Sequence, residues 1–382
     1  MRHRLLSSLS VILLSAVSAL ASDWDRSVAL YNKGDYRAAI SEFQEIVMEH
    51  PEVAGAWYYI GLCEFKLKRY ERVELPLSHA IDLLEIQSPG SPDIAGAWYT
   101  VGLSHYLLAR YDKAIDPLKR YIELTSKANR DVDPSARTAL GRAYFYLERY
   151  DDATPLLATS NGGQPAGADA REKLREQAAN SYYLGAIFFK RNDDEKAIVA
   201  LRESIKLNPE DTSALELFAE SLIRSAKKIS SSPTQSKAAD SAANALWLEA
   251  GETGEKLRAL RDDLTTANIL GRAYLGARQF DKAVAPLEKL ARANKDNGQA
   301  WLYYGIALSR SGQMRKAMEA LETAIQLAPD SVPALAELGY VYEADKQYQQ
   351  ALRIYEKAYA ATSDPAMKER LERVKTLAAQ QP

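Results

Sequence analysis

The 382-residue chain has one cysteine, Cys63, only four histidines, and no excess of either charge: 49 Lys and Arg stand against 51 Asp and Glu, a formal net charge of −2. One thiol cannot close an intramolecular disulfide, so the fold must be held by packing alone. Cys63 falls inside an apolar stretch with helical spacing, which predicts a buried, inert thiol. Without a basic surplus the chain would gain little from counterion release, so nucleic acid is not an expected partner. His3, His50, His79 and His105 are scattered, and none stands in the His-Glu-x-x-His spacing that binds zinc. A Gly-x-x-x-x-Gly-Lys-Ser/Thr phosphate loop is missing, and so is the Gly-x-Ser-x-Gly elbow of serine hydrolases. The expectation is therefore a protein that is not an enzyme, with no catalytic residue, no cofactor and no metal.

Long apolar runs are also scarce. The one candidate is at the start of the chain, where Arg2, His3 and Arg4 precede Leu5 to Val17, an apolar stretch interrupted by Ser7, Ser8, Ser10 and Ser15. Ala19-Leu20-Ala21 then places small residues where a signal peptidase reads them. The stretch is too short and too rich in serine for a spanning helix, which needs about 20 mostly apolar residues. Residues 1–21 are expected to be a signal peptide cleaved before Ser22, leaving an exported, periplasmic or secreted chain with no integral membrane span.

What the sequence has is periodicity. It is 47% hydrophobic and 26% charged, with 22 tyrosines, which fits a folded chain rather than a disordered one. Ala54-Gly55-Ala56-Trp57-Tyr58 recurs 41 residues on as Ala95-Gly96-Ala97-Trp98-Tyr99. Glycines recur at Gly61, Gly102, Gly141, Gly185, Gly271, Gly305 and Gly339, the last three 34 residues apart. Sixteen residues after each comes Leu77, Leu118, Leu157, Leu201, Leu287, Leu321 or, in the last copy, Tyr355. Trp301, Tyr304 and Leu308 follow one helical face, and Ala317, Leu321, Ala324 and Ile325 follow a second. Ser311-Gly312-Gln313 supplies the turn between them, and Pro329 ends the pair. Small residues at the glycine and alanine positions would let the two backbones approach closely.

This pattern resembles the tetratricopeptide repeat. The copy at Ala300 to Pro329 carries Trp301, Tyr304-Gly305, Leu308, Ala317, Leu321, Ala324 and Pro329. Another is read at Gly34-Asp35-Tyr36, Ala39-Ile40, Phe43 and Pro51, and a degenerate one follows Pro209 at Leu215, Phe218-Ala219 and Leu222. The resemblance implies an all-α fold, a right-handed superhelical solenoid of about nine helix pairs. Three insertions break the period, at 85–92, at 160–167 and near 227–255. The expected organisation is an N-terminal repeat block at 22–225, an insertion or linker at 226–254, a C-terminal block at 255–364, and a capping helix and tail at 365–382.

In such stacks the first helices line a concave groove. Carrying the family's groove-facing positions onto this sequence gives Tyr58 and Phe65, Tyr99 and Tyr106, Phe145, and Tyr182 and Phe189, with Arg142 and Arg272 at a third position. Equivalent C-terminal positions hold Asn268, Leu275, Leu302, Ser309, Ala336 and Glu343, a more polar set. Trp57, Trp98 and Trp301 read as packing residues. The expected function is a non-enzymatic scaffold or adaptor of the cell envelope that holds a protein or extended peptide against the aromatic groove. The alternative is a peptidoglycan- or carbohydrate-associated binder, since aromatic faces also stack on sugars. No oligomeric state is implied.

Overall fold

The structure, a computed structural model, describes residues 21–159, 170–232 and 236–380. The expected signal peptide, apart from Ala21, and the insertion at 160–167 lie outside these residues. The described residues form helices joined by turns and short loops, with no strand among them. They fall into two compact units, 1–170 and 171–382.

Unit 1 holds four helix pairs. They are α1 (21–33) with α2 (Tyr36–Glu49), α3 (Ala54–Lys66) with α4 (Glu74–Gln87), α5 (Pro92–Leu107) with α6 (Tyr111–Lys127), and α7 (Pro134–Tyr146) with α8 (Tyr150–Thr159). Unit 2 holds five more and a final helix. Its pairs are α9 (Ala170–Lys190) with α10 (Asp194–Leu207), α11 (Thr212–Ser230) with α12 (Lys237–Leu260), α13 (Leu264–Gly276) with α14 (Phe280–Ala293), α15 (Gly298–Arg310) with α16 (Met314–Leu327), and α17 (Val332–Ala344) with α18 (Tyr348–Thr362). The final helix is α19 (Pro365–Ala379). The expected all-α helical-repeat fold is what the described residues show, with four pairs in unit 1 and five pairs and a final helix in unit 2.

One local device makes eight of these pairs. The first helix ends on a residue in the left-handed region, Gly34 or Gly312 in two pairs and Lys68, Ala109, Glu148, Asn192, Arg278 or Lys346 in the others. The next N–H then bonds back five residues, as in Arg110 N to His105 O at 2.9 Å and Gln313 N to Leu308 O at 2.8 Å. This is the reverse turn that satisfies orphan carbonyls at a helix end. It lets the second helix start almost at once and run back along the first.

The periodic glycines sit where the paired helices are closest. A Cβ on Gly102 would lie 2.7 Å from Leu118 Cγ, one on Gly305 2.6 Å from Leu321 Cγ, and one on Gly339 2.6 Å from the Tyr355 ring. The residue sixteen places on is thus the one that fills the space the glycine leaves. Leu77, Leu118, Leu157, Leu201 and Leu321 are fully buried at these crossings, with Ala114, Ala153, Ala197 and Ala317 beside them.

In the segment expected as an insertion or linker, 226–254, the described residues are the end of α11, its C-terminal turn and most of α12, which packs as the second helix of the sixth pair. Ala243, Trp247, Ala250, Gly254 and Leu257 form its buried stripe at helical spacing. Trp247 lies across Gly276 of α13. Leu215, Phe218, Ala219 and Leu222 are buried on α11, as the degenerate copy implies. The division between compact units comes at the start of α9, not at 226–254. At the far end Met367, Leu371 and Val374 of α19 cover Ala351, Tyr355 and Ala358, so the last pair does not expose its apolar face.

Cys63 is buried, and burial, with Glu64 beside it, pushes its thiol up to about 12. It stays protonated and inert at neutral pH. Trp57 Nε1 donates to the Pro51 carbonyl at 2.9 Å and Trp301 Nε1 to that of Lys295 at 3.0 Å. Both contacts reach back six residues into the preceding loop and set the entry angle of a first helix.

Candidate partner-binding site

Within unit 1, first helices of successive pairs touch, α3 with α5 and α5 with α7. Among the described residues no contact of like extent joins α4 to α6 or α6 to α8. Closer spacing on the first-helix side makes that side locally concave. The same asymmetry holds in unit 2, where α11 meets α13 and α15 meets α17. The expected groove positions all lie on first helices: Tyr58, Phe65, Tyr99, Tyr106, Arg142 and Phe145 on α3, α5 and α7 of unit 1, and Tyr182, Phe189 and Arg272 on α9 and α13 of unit 2.

All nine are half-buried, but they are not equivalent. Tyr58 and Tyr99 stitch one first helix to the next. The Tyr58 hydroxyl abuts Gly96 of α5, where an added Cβ would sit 2.6 Å away. Tyr99 Oη points at Asp133 Oδ2, 3.4 Å away, and its ring packs 4.8 Å from Tyr121. Asp133 caps α7, its carboxylate accepting from Ser135 N–H at 2.8 Å, while its own N–H donates to Tyr121 Oη at 3.1 Å. Burial and the nearby Asp93 push the Tyr58 hydroxyl up to about 12, and burial with Asp133 raises Tyr99 as well.

Phe65, Tyr106 and Phe145 stand one turn before the reverse turns, and each meets the aromatic five residues on. Phe65 lies 5.5 Å from Tyr70, Tyr106 5.9 Å from Tyr111, and Phe145 6.0 Å from Tyr150. Tyr31 and Tyr36 make the same pair at 5.6 Å in the first repeat. Tyr146 stacks on Tyr111 at 4.3 Å with an interplanar angle of 10°, so aromatic contact also runs from one pair to the next. Reading only groove positions misses Tyr36, Tyr70, Tyr111 and Tyr150. The five-residue spacing across each turn is the signal that would have found them. Leu107, Tyr146 and Leu147 are the exposed large apolar residues at this edge.

In unit 2 the corresponding side is held by ion pairs. The Arg224 guanidinium lies 3.7 Å over the Phe189 ring, donates from Nη2 to the Phe189 carbonyl at 2.7 Å, and donates from Nε to Asp194 at 2.6 Å. Arg272 donates to Glu220 at 2.7 Å, from α13 to α11. Ser309 and Arg310 both reach Glu337 of α17, at 2.7 and 2.8 Å. Tyr182 packs on the buried cluster of α10 to α13 and edge-on to Tyr183. Arg142, on α7 in unit 1, already has a partner within the chain. The aromatic residues of unit 1 and the charged pairs of unit 2 are thus two different surfaces on one scaffold.

No group of three or more His, Cys, Asp or Glu among the described residues is arranged to hold a metal ion. No described helix is long and apolar enough to cross a membrane. His105 is buried, its Nε2 lying 3.5 Å from Glu74, and it packs between helices.

A family model described as tetratricopeptide repeat matches residues 25–72, 270–332 and 305–366, and a second model of the same description matches 179–211. No curated protein matches the sequence. Among solved structures, YrrB, described as a TPR protein with an unusual peptide-binding site, is 17% identical; the match covers 55% of this chain and 100% of that one, with a TM-score of 0.44. MamA from Desulfovibrio magneticus RS-1 is 18% identical over 54% of this chain and 97% of that one, with a TM-score of 0.39. A further MamA structure, MSR-1 C2, is 22% identical over 49% of this chain and 97% of that one, with a TM-score of 0.41.

Proposed function

With a chain built on tetratricopeptide repeats as the premise, we propose that the protein is a non-enzymatic interaction scaffold that holds an extended segment of a protein partner along the first-helix side of unit 1. One observation carries the reading. Half-buried aromatic residues recur at one position of three successive first helices, Phe65, Tyr106 and Phe145, and at a second position in two of them, Tyr58 and Tyr99, a spacing that suits a row rather than isolated spots. Aromatic side chains bring large contact area with few torsions to freeze, which suits an extended peptide. Of the two positions, Phe65, Tyr106 and Phe145 are the better ligand contacts, because Tyr58 and Tyr99 are engaged in holding the helices together.

The amino-terminal pattern supports export, and a scaffold in the cell envelope is the setting it suggests. Mass spectrometry of the protein purified from its native envelope tests this. A chain beginning at Ser22 is the expected result, and an intact Met1 would overturn it.

Binding is tested by crosslinking in the native envelope, with a Tyr106→Ala, Phe145→Ala double variant beside wild type. The expected result is one or a few protein partners captured by wild type and lost in the variant, with helical content unchanged. Identical capture by both proteins would falsify the assignment of these residues. If purified cell wall sediments the protein with no protein partner present, the same aromatic row serves carbohydrate instead.

A further inference from the structure

The insertion at 85–92 breaks the repeat period, and the partner-binding reading gives it no role. In the structure it is a preformed wall. Ser91 N–H donates to the Ser88 carbonyl at 2.9 Å, and Gly90 at φ +86° follows Pro89. Proline second and a positive-φ glycine third are the residues a type II turn requires. Ser91 then caps α5, accepting from Asp93 N–H at 3.2 Å, and Pro92 opens that helix. Every step of this path is conformationally restricted, so the wall is rigid before any ligand arrives.

Between this turn, the start of α5 and the C-terminal end of α6 lies a cleft of about 570 Å³. Pro89, Pro92, Ile94, Leu124 and Ala128 supply its apolar lining, and Arg120, Lys127 and Arg130 supply cations. Glu85 is the one acid on the lining. Glu123 stands behind the cations, 3.2 Å from Arg120 and 2.6 Å from Lys127. Ordered by Glu123, these two cations still leave 43% and 69% of their side-chain surfaces exposed. Arg130 is exposed and has no ion pair among the described residues.

The cationic rim is not a default of the repeat. Unit 2 has a wedge of about 410 Å³ that is also built from the start of a first helix, α13, and the end of its second, α14, together with the start of α15. Asn268, Asn294, Asn297 and Gln299 line it, and no charged residue does.

The geometry points to a second ligand site in unit 1, in which this cleft takes an acidic peptide segment, seating an apolar side chain on the floor while flanking carboxylates meet Arg120, Lys127 and Arg130. Its volume is in the range of ligand pockets generally. Guanidinium groups present the planar fork that carboxylates fit. An apolar floor beneath a cationic rim matches a ligand that carries both features a few ångströms apart. The site goes beyond the first-helix reading and does not depend on it.

The test is a fluorescence anisotropy titration of the full chain with three labelled synthetic peptides: one leucine flanked by Asp and Glu, the same peptide with Ser at the acidic positions, and the same with Lys. The acidic peptide is expected to bind most tightly and to weaken as salt rises. An R120E, R130E double variant is expected to weaken it by about tenfold or more. Ala128→Trp, which fills the cleft without changing charge, is expected to weaken it as well. Both changes are at exposed positions, and unchanged circular dichroism and melting would show that the fold is intact. Tyr106→Ala, Phe145→Ala is expected to leave this binding alone. Equal binding of all three peptides, or an unaltered affinity in both cleft variants, overturns the proposal. Loss of binding in the Tyr106→Ala, Phe145→Ala variant assigns the peptide to the first-helix side and also overturns it. Tighter binding to anionic phospholipid vesicles than to the acidic peptide, abolished by the same two cleft variants, replaces the peptide with a lipid and overturns it as stated.

Discussion

At the scale of single residues the fold depends on absence of a side chain. Gly102 faces Leu118 so closely that any Cβ would overlap it, and the Leu118 backbone nitrogen is only 3.1 Å from the same point. Gly102→Ala gains about 1 kcal/mol of helix propensity but overpacks the crossing, which typically costs about 1–3 kcal/mol. The expected outcome is a lower urea midpoint with an unchanged slope. A midpoint at or above wild type would show that the helices can separate at no net loss. Tyrosines make the second residue-level statement. Tyr58 and Tyr342 are pushed up to about 12 by burial, with Asp93 beside the first and a 2.6 Å bond to Glu322 on the second. Tyr274 and Tyr355 are raised for the same reasons. An unfolded tyrosine loses its proton near pH 10, so the fold favours the neutral form. That stability is complete below about pH 10 and is lost as pH rises through the folded values. Denaturation midpoints measured at rising pH should fall from about pH 10 to about pH 12, with tyrosine ionisation appearing only as the helices melt.

At the scale of elements the telling case is α12. Its start follows a polar run, Ser230-Ser231-Ser232-Pro233, and its exposed residues are rich in alanine, so it lacks the signs of a repeat helix. Its buried stripe nevertheless ties α11 to α13, with Trp247 only 7% exposed. Trp247→Ala is expected to cost about 3–5 kcal/mol, the usual loss for truncating a buried aromatic. A linker residue would give almost no change. Thermal melting monitored by circular dichroism separates the two outcomes.

At the scale of the whole molecule the chain is two compact units, each with its own buried clusters. Unit 2 has continuous packing from α10 to α19, with a capping helix at its end. A fragment of residues 171–382 is expected to fold alone, giving a helical spectrum and a cooperative melt. A fragment that is unfolded or aggregates on dilution would show that unit 2 needs unit 1. The first-helix row and the cleft at 85–92 both lie in unit 1, so the fragment is also expected to bind neither ligand.

The repeat was legible in the sequence because its determinants are local. Gly61 or Gly305 and the leucine sixteen residues on lie on neighbouring helices of one pair, and a short turn fixes their register. Periodicity along the chain therefore reports contact in space. The cap at 365–379 could be read for the same reason, since its apolar stripe needs only the preceding helix. Three things were decided by tertiary structure. Tyr58 and Tyr99 resemble Tyr106 in sequence but are engaged between helices, while Phe189 and Arg272 are taken up by Arg224 and Glu220, partners 35 and 52 residues away. Residues 237–260 became a repeat helix because α11 and α13 offered the faces that cover its stripe. The insertion at 85–92 gained a cleft because α6 and the turn after it return beside it with three cations. In each case the deciding contact joins residues whose separation follows no period, and only the folded chain brings them together.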